Sequence, residues 1–291
     1  MKEKCLVIGG SGFIGSHVAD ALSERGFSVT IYDTEESLWK NDKQEFVKGD
    51  ISDITKLQSL IDKETIVYNF AAIADIAESI RKPYETIETN IIGTASVLEA
   101  LRKKGAKKYI CASTMYVYGT FGSFYRVSKQ SVESIVQAYS EEYGIEYILL
   151  RYGSLYGPRS QKWNGFRRYI EQIKKEGKLD YWGSGEEVRE YIHVLDAARL
   201  SVDILENENF LNSAINLTGH ESLTSNELFD LLFEIAGVPK KINYLKFDNN
   251  HGHYKRTPYR KTHTYPMKLV PEFYIDIGYG ILEEFKRDID S

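Results

Sequence analysis

The sequence is poor in the features that mark several classes of protein. Its 291 residues hold only two cysteines, Cys5 and Cys111, each in or beside an apolar β-like run. That excludes a disulfide framework and suits buried, reduced thiols. Neither sign of charge dominates: 37 Lys and Arg against 42 Asp and Glu give a net charge of −5, and the charges are interspersed. Without a basic stripe to neutralise phosphates, nucleic acid is excluded as a partner. No apolar run approaches the roughly 20 residues of a membrane span, so no membrane partner is expected. The start, 1-MKEKCLVIGG-10, passes into a strand-like segment with no signal pattern, and a cytoplasmic location is expected. Repeats and low-complexity linkers are lacking. His251 and His253 stand two apart in a polar stretch without further ligands, so no metal site is expected. What is present is a hydrophobic content of 42%, enough for a sizeable core.

Short apolar runs recur at 4–9, 28–33, 45–50, 65–72, 107–113 and 146–153, separated by helical patterns near 13–25, 53–62, 86–104 and 125–143. Such alternation predicts a parallel sheet with crossover helices, hence an α/β fold. After 157-GPRS-160 the rhythm loosens into a helix near 165–176, then a strand and helix within 188–206 that is expected to return to the main sheet. Gly and Pro scattered through 237–261 predict a loop-rich lobe. The expected division is residues 1–160 with 190–207, and a smaller lobe over 161–291.

The first run leads into 9-GGSGFIGS-16, with Gly9, Gly12 and Gly15 spaced by three. Bare backbone at a helix start lets a pyrophosphate reach N–H groups where the helix dipole favours anions. The second run ends at Asp33, 18 residues past Gly15, where a carboxylate accepts both ribose hydroxyls and repels a 2′-phosphate. NAD is therefore the expected cofactor. Asp50 and Ile51, after the third run, are placed to flank the adenine.

The stretch 113-STMYVYGTFGSFYRVSK-129 brings Ser113 and Thr114 to a strand end and places Tyr125 and Lys129 four apart, on one face of a helix. Among 21 tyrosines this is the only one with a lysine at that spacing. An ammonium beside a phenol favours the phenolate, so Lys129 is expected to lower the Tyr125 pKa and make it a proton acceptor for a sugar hydroxyl.

Taken together, 9-GGSGFIGS-16, Asp33, 50-DI-51, 69-NFAA-72, Asn90 with 93-GT-94, 113-STMYVYG-119, Tyr125 with Lys129, 151-RYGSLYGPR-159 and 182-WGSGEEVREYIHVLDAA-198 make the chain resemble the extended short-chain dehydrogenase/reductase superfamily, specifically its NAD-dependent nucleotide-sugar epimerases and dehydratases. The resemblance spans about two thirds of the chain. It implies a Rossmann-type doubly wound parallel sheet with a smaller C-terminal substrate-binding lobe. It implies a homodimer built on the helices near 86–104 and 125–143. Thr114 would bond the reacting hydroxyl, Tyr125 would take its proton, and Lys129 would also hold the nicotinamide ribose. Phe13, Ile14, Ala71, Ala72, Asn90 and Tyr152 would complete the cofactor site. Ser113, Met115, Tyr116, Ser154 and Arg159 would face the substrate, Arg189 its pyrophosphate, with Arg256 or Arg260 as a second phosphate ligand. The implied activity is epimerisation of a nucleotide-sugar, at C4 through a 4-keto intermediate.

Several positions depart from that pattern. The segment from Met115 to Phe124 is some ten or more residues shorter than the family usually carries, so a substrate-side flap is missing or rebuilt. Dehydratases place an acid and then Glu or Lys after the catalytic Thr, because elimination needs a base and an acid; Met115 and Tyr116 stand there instead. Ser154 stands where Asn is frequent and Asn69 where His is frequent. His193, within an apolar run, is read as a core histidine. A one-way 4-oxidoreductase, an atypical dehydratase, and a non-catalytic nucleotide- or sugar-binding regulator remain alternatives.

Overall fold

The computed structural model describes residues 3–220, 222–245, 253–259 and 267–287. Arg260 and His251 lie outside them. Thirteen strands are present among the described residues: β1 Lys4–Ile8, β2 Ser28–Asp33, β3 Gln44–Lys48, β4 Ile66–Asn69, β5 Lys108–Thr114, β6 Glu146–Tyr152, β7 Ser154–Tyr156, β8 Leu179–Trp182, β9 Val188–His193, β10 Ser213–Leu217, β11 Ser222–Thr224, β12 Ile242–Leu245 and β13 Met267–Leu269. The α-helices are α1 Phe13–Glu24, α2 Ile54–Leu60, α3 Ile76–Arg81, α4 Pro83–Ile87, α5 Gly93–Lys104, α6 Ser123–Tyr143, α7 Gly165–Glu176, α8 Val194–Asp203, α9 Ser225–Ala236 and α10 Ile277–Lys286.

Eight strands form one sheet in the order β13-β10-β6-β5-β4-β1-β2-β3, every pair parallel. Alternation along β1 shows how it is held. Cys5 and Val7 join the core under α1 and α8, while Leu6 and Ile8 join the core under α5 and α6. A strand buried on both faces reads as a continuous apolar run, which is why these segments were visible in the sequence. Chain order reverses between β1 and β4, and the crevice outside the carboxyl ends of such strands is where open α/β sheets bind ligands.

Two local features shape that crevice. α5 ends with Arg102, Lys103 and Lys104 in its last turn and Gly105 in the left-handed region, which complements the helix dipole and stops the helix. Its other end continues from α4 through a π-helical turn over Glu88–Ile92 that turns Asn90 inward, fully buried.

The 188–206 segment differs from its expectation. α8 does return, packing on α1 and giving Ser201 to the hydroxyls of Tyr68 and Tyr152. β9 does not enter the main sheet; it pairs with β7 and antiparallel β11 in a small sheet of its own. The extra main-sheet strands are instead β10 and β13. A third core, with Tyr156, Phe166, Tyr181 and Phe229 among its members, joins α7, α9 and α10 beside the main body.

Candidate active site

The turn between β1 and α1 is closed by the Gly12 N–H on the Gly9 carbonyl at 3.2 Å. Gly9 sits at φ +75°, and a Cβ there would lie 2.4 Å from the Ala71 nitrogen; a Cβ on Gly15 would lie 2.2 Å from the Gly9 oxygen. Backbone packs on backbone, leaving no room for side chains. The start of α1 has no side-chain cap and no acidic residue in its first turn, so nothing of the chain's own competes with an anion for its N–H groups. Asp33 stands beside this loop, its Oδ2 accepting from the Ser11 N–H at 3.0 Å. Asp50 is fixed by the Ser52 hydroxyl and N–H, which hold its carboxyl below the usual range, and Ile51 packs against Gly93. Asn69 accepts from the Ala71 N–H at 3.1 Å and donates to the Tyr109 hydroxyl at 2.8 Å, tying the 70–72 turn to the sheet. Asn90 grips Ile73 through both its amide atoms and donates to Ser128 at 2.9 Å. These groups fit a dinucleotide laid from Asp33, across the glycine turn, toward α6.

At the carboxyl end of β5 the hydroxyls of Ser113 and Thr114 part company. Thr114 caps the following 3-10 turn by accepting the Tyr116 N–H at 3.3 Å, and its hydroxyl lies beside that of Tyr125. Ser113 turns inward to donate to Glu133 at 2.6 Å. Tyr125, Lys129 and Glu133 are spaced by four along α6, so they form one stripe facing β5. The Lys129 ammonium donates to the Ala112 carbonyl at 2.8 Å. Glu133 receives Arg151 through Nε at 2.8 Å and Nη2 at 2.6 Å, and Arg151 also donates to the Tyr118 hydroxyl, which passes on to Asn216. A buried ion pair is tolerable only when its remaining bonds are filled, as they are here.

Burial pushes the Tyr125 phenol up to about 12, with the Thr114 bond opposing the shift. Burial likewise pushes Lys129 down. The expected lowering of Tyr125 by Lys129 is therefore not found in the protein by itself. The ammonium is spent on Ala112, and desolvation disfavours the charged form of each group separately.

On the far side of Tyr125, Tyr116 lies edge-on to it with ring centres 6.2 Å apart. The Tyr116 hydroxyl bonds His253 Nδ1, and its ring lies 4.6 Å from that of Tyr254. Arg189 spreads its guanidinium over Tyr254 at 4.3 Å. Ser154 meets the Tyr254 hydroxyl. Arg256 is exposed and bridges Val188 through its backbone.

Residues 5–217 match the sequence profile of the "NAD dependent epimerase/dehydratase family". The chain belongs to that family. A UDP-N-acetyl-alpha-D-glucosaminuronate decarboxylase of Bacillus cytotoxicus is 28% identical over the full length of both chains. A putative UDP-glucose 4-epimerase of Methanocaldococcus jannaschii is 31% identical over 83% of this chain and 85% of its own. Among solved structures, a UDP-glucose 4-epimerase of Thermotoga maritima with UDP-glucose is 29% identical at a TM-score of 0.81, covering 97% of each chain. A UDP-glucuronic acid 4-epimerase of Bacillus cereus, in complex with UDP-glucuronic acid and NAD, is 27% identical at a TM-score of 0.80, covering 97% and 98%.

Within this epimerase/dehydratase fold, four expected site residues lie elsewhere. Tyr152 is a core residue whose hydroxyl meets Ser201, because alternation along β6 turns it toward α8. Ser113 is buried, with its hydroxyl on Glu133. Met115 has no exposed surface, since the 3-10 turn folds it inward and gives the cleft to Tyr116. Arg159 pairs with Asp20 at 2.8 Å and covers Trp39, on the α1 side. His193 is a core residue, its ring edge against Tyr156 and its Nδ1 accepting the Leu195 N–H. Sequence reasoning missed Glu133 and Arg151, although Glu133, four residues beyond Lys129, carried the helical spacing that finds it.

Proposed function

We propose that the protein is an NAD-dependent UDP-sugar 4-epimerase. The observation that carries this reading is the meeting of Thr114, Tyr125 and Lys129 at the end of β5, next to the glycine turn that fits a dinucleotide. The fold and family support it, and relatives named as 4-epimerases support the choice of C4 and of UDP. NAD in the cradle supplies a hydride acceptor and donor, and its cationic ring favours the phenolate form of Tyr125. Thr114 orients the sugar's 4-hydroxyl; Tyr125 takes its proton and returns it after the sugar has turned over. Lys129, anchored on Ala112, would hold the nicotinamide ribose. Burial holds Tyr125 up at about 12 in the protein alone, so the phenolate that accepts the proton would depend on that cationic ring. The main sheet with α8 then holds NAD, while the α7, α9, α10 body and the 253–259 segment hold the UDP-sugar. Arg189, the guanidinium over Tyr254, is the pyrophosphate ligand.

A second reading is favoured by the decarboxylase relative that matches the full chain. Oxidation at C4 makes a ketone β to a C6 carboxylate, which is the arrangement that loses carbon dioxide. Incubating the protein with UDP-glucose, UDP-glucuronate and UDP-N-acetylglucosamine, with products read by NMR, tests both. The inverted 4-hydroxyl without net NADH supports the epimerase; a UDP-pentose with released carbon dioxide replaces it by the second reading; no conversion of any sugar contradicts both. Two features support further parts of the reading. Ile80, Tyr84, Ile87, Ile92, Phe124 and Val127 are exposed on α3, α4, the π-helical turn that follows and α6, apolar side chains of the kind a homodimer covers. A dimer is expected by light scattering at micromolar concentration, and a monomer would contradict it. Cys5 and Cys111 are free and buried, as suits a reducing cytoplasm. No described helix is long and apolar enough to cross a membrane.

A further inference from the structure

The ten residues between Thr114 and Tyr125 wind into one 3-10 turn, Met115–Tyr118, and close directly onto α6, so they throw no loop over the sugar side. A segment from far along the chain occupies that position. Residues 253–259 run beside β9, fastened by the Val188 N–H on Lys255 at 2.7 Å and by the Thr257 N–H on Val188 at 3.1 Å. The Tyr259 hydroxyl on Glu190 secures the strap further along, and Pro258 lies against Gly119.

This strap drives Tyr254 inward until it is 5% exposed. Its ring lies between Tyr116 at 4.6 Å and the Arg189 guanidinium at 4.3 Å, and its hydroxyl reaches Ser154 and Thr257. Next to it His253 holds the Tyr116 hydroxyl. Contacts therefore run without a break from Tyr125 through Tyr116 and Tyr254 to Arg189. That line joins the proton-transfer group to the guanidinium suited to a pyrophosphate, the two ends of a sugar diphosphate.

We propose that Tyr254 and His253 determine which sugar the site accepts, in place of the residues that are missing ahead of Tyr125. This rests on the UDP-sugar reading above. A ring stacked on a guanidinium holds its fork in one plane, which fixes where a phosphate sits and so where the sugar begins. The Tyr116 hydroxyl, aimed by His253, meets the sugar edge. A fixed polar group selects strongly there, because a sugar lacking the matching substituent leaves it unpaired.

The test is calorimetric titration of the NAD-loaded protein with UDP, UDP-glucose, UDP-glucuronate and UDP-N-acetylglucosamine. The proteins compared are the wild type, His253→Ala, Tyr254→Phe and Tyr254→Ala, with NAD affinity as the check that each is folded. In His253→Ala the ratio of Kd values among the three sugars is expected to change by about tenfold, while UDP alone binds as before. In Tyr254→Ala UDP itself weakens by about tenfold as Arg189 loses its platform. Tyr254→Phe keeps the packing and loses only the hydroxyl that faces Ser154 and Thr257, so its smaller shift separates lost recognition from lost structure. Wild-type sugar ratios in both His253→Ala and Tyr254→Ala would overturn the proposal. If the wild type binds NAD but neither UDP nor any of the three sugars, the fault lies in the UDP-sugar reading, and this inference fails with it.

Discussion

At the dinucleotide cradle the chain offers backbone: Gly9 and Gly15 packed against carbonyls and amides, and the uncapped start of α1. At the sugar side it offers side chains, with Tyr116, Tyr254, His253 and Arg189 gathered from three separate segments. Backbone serves where every relative must hold the same anion, because an N–H group does not depend on residue type. Side chains serve where the bound group differs between relatives. Between the two regions lies Tyr125, with Lys129 and Glu133 behind it on the same helical stripe.

The sharpest way to break this comparison is to strike the buried pair behind the stripe. Glu133→Ala leaves Arg151 charged and unpaired in a site where it is 2% exposed, and is expected to cost about 3–5 kcal/mol in urea unfolding. A loss below about 1 kcal/mol would show that Glu133 does not anchor α6 to β5.

A somewhat smaller effect comes from acid. Burial pushes His17 and His193 down to about 4, so both stay neutral in the folded protein. The unfolded chain takes up those protons below its ordinary value near 6.5. Stability is thus complete above that value and falls as pH drops toward 4, by up to about 3 kcal/mol for each residue. The expected result is a melting temperature that drops between pH 6.5 and pH 4.5, with a shallower drop in His17→Gln. An identical pH slope in that variant would contradict the assignment of a buried neutral imidazole.

The smallest change sharpens the cradle itself. Asp33→Asn keeps the size of the side chain but removes the charge that would meet a 2′-phosphate. The preference for NAD over NADP is expected to fall by about tenfold, or 1.4 kcal/mol. An unchanged preference would remove Asp33 from the ribose.

What could be read in the sequence divides along the same line. β1, β2, β4, β5 and β6 are apolar runs because both faces of each strand are buried, and the glycine turn and Asp33 lie within one local unit. β10 and β13 were not legible: five and three residues long, they carry too little periodicity to separate them from loop. Ser113 and Thr114 are neighbours of one chemical type, and only the alternation of β5 sends one to Glu133 and the other to Tyr125. The burial of Tyr152 and Met115 was not legible for the same reason, since a motif names positions but not the face each side chain takes. The strap over Tyr116 comes from more than 130 residues further along, a separation that no local pattern spans.

The most direct measurement is turnover of Tyr125→Phe on the substrate identified by the UDP-sugar assay, with NAD affinity measured alongside. The variant loses one oxygen, so NAD is expected to bind nearly as in the wild type while turnover falls by about 10²–10⁴-fold. Wild-type turnover in Tyr125→Phe, with NAD bound normally, would contradict the assignment of Tyr125 as the group that exchanges a proton with the sugar.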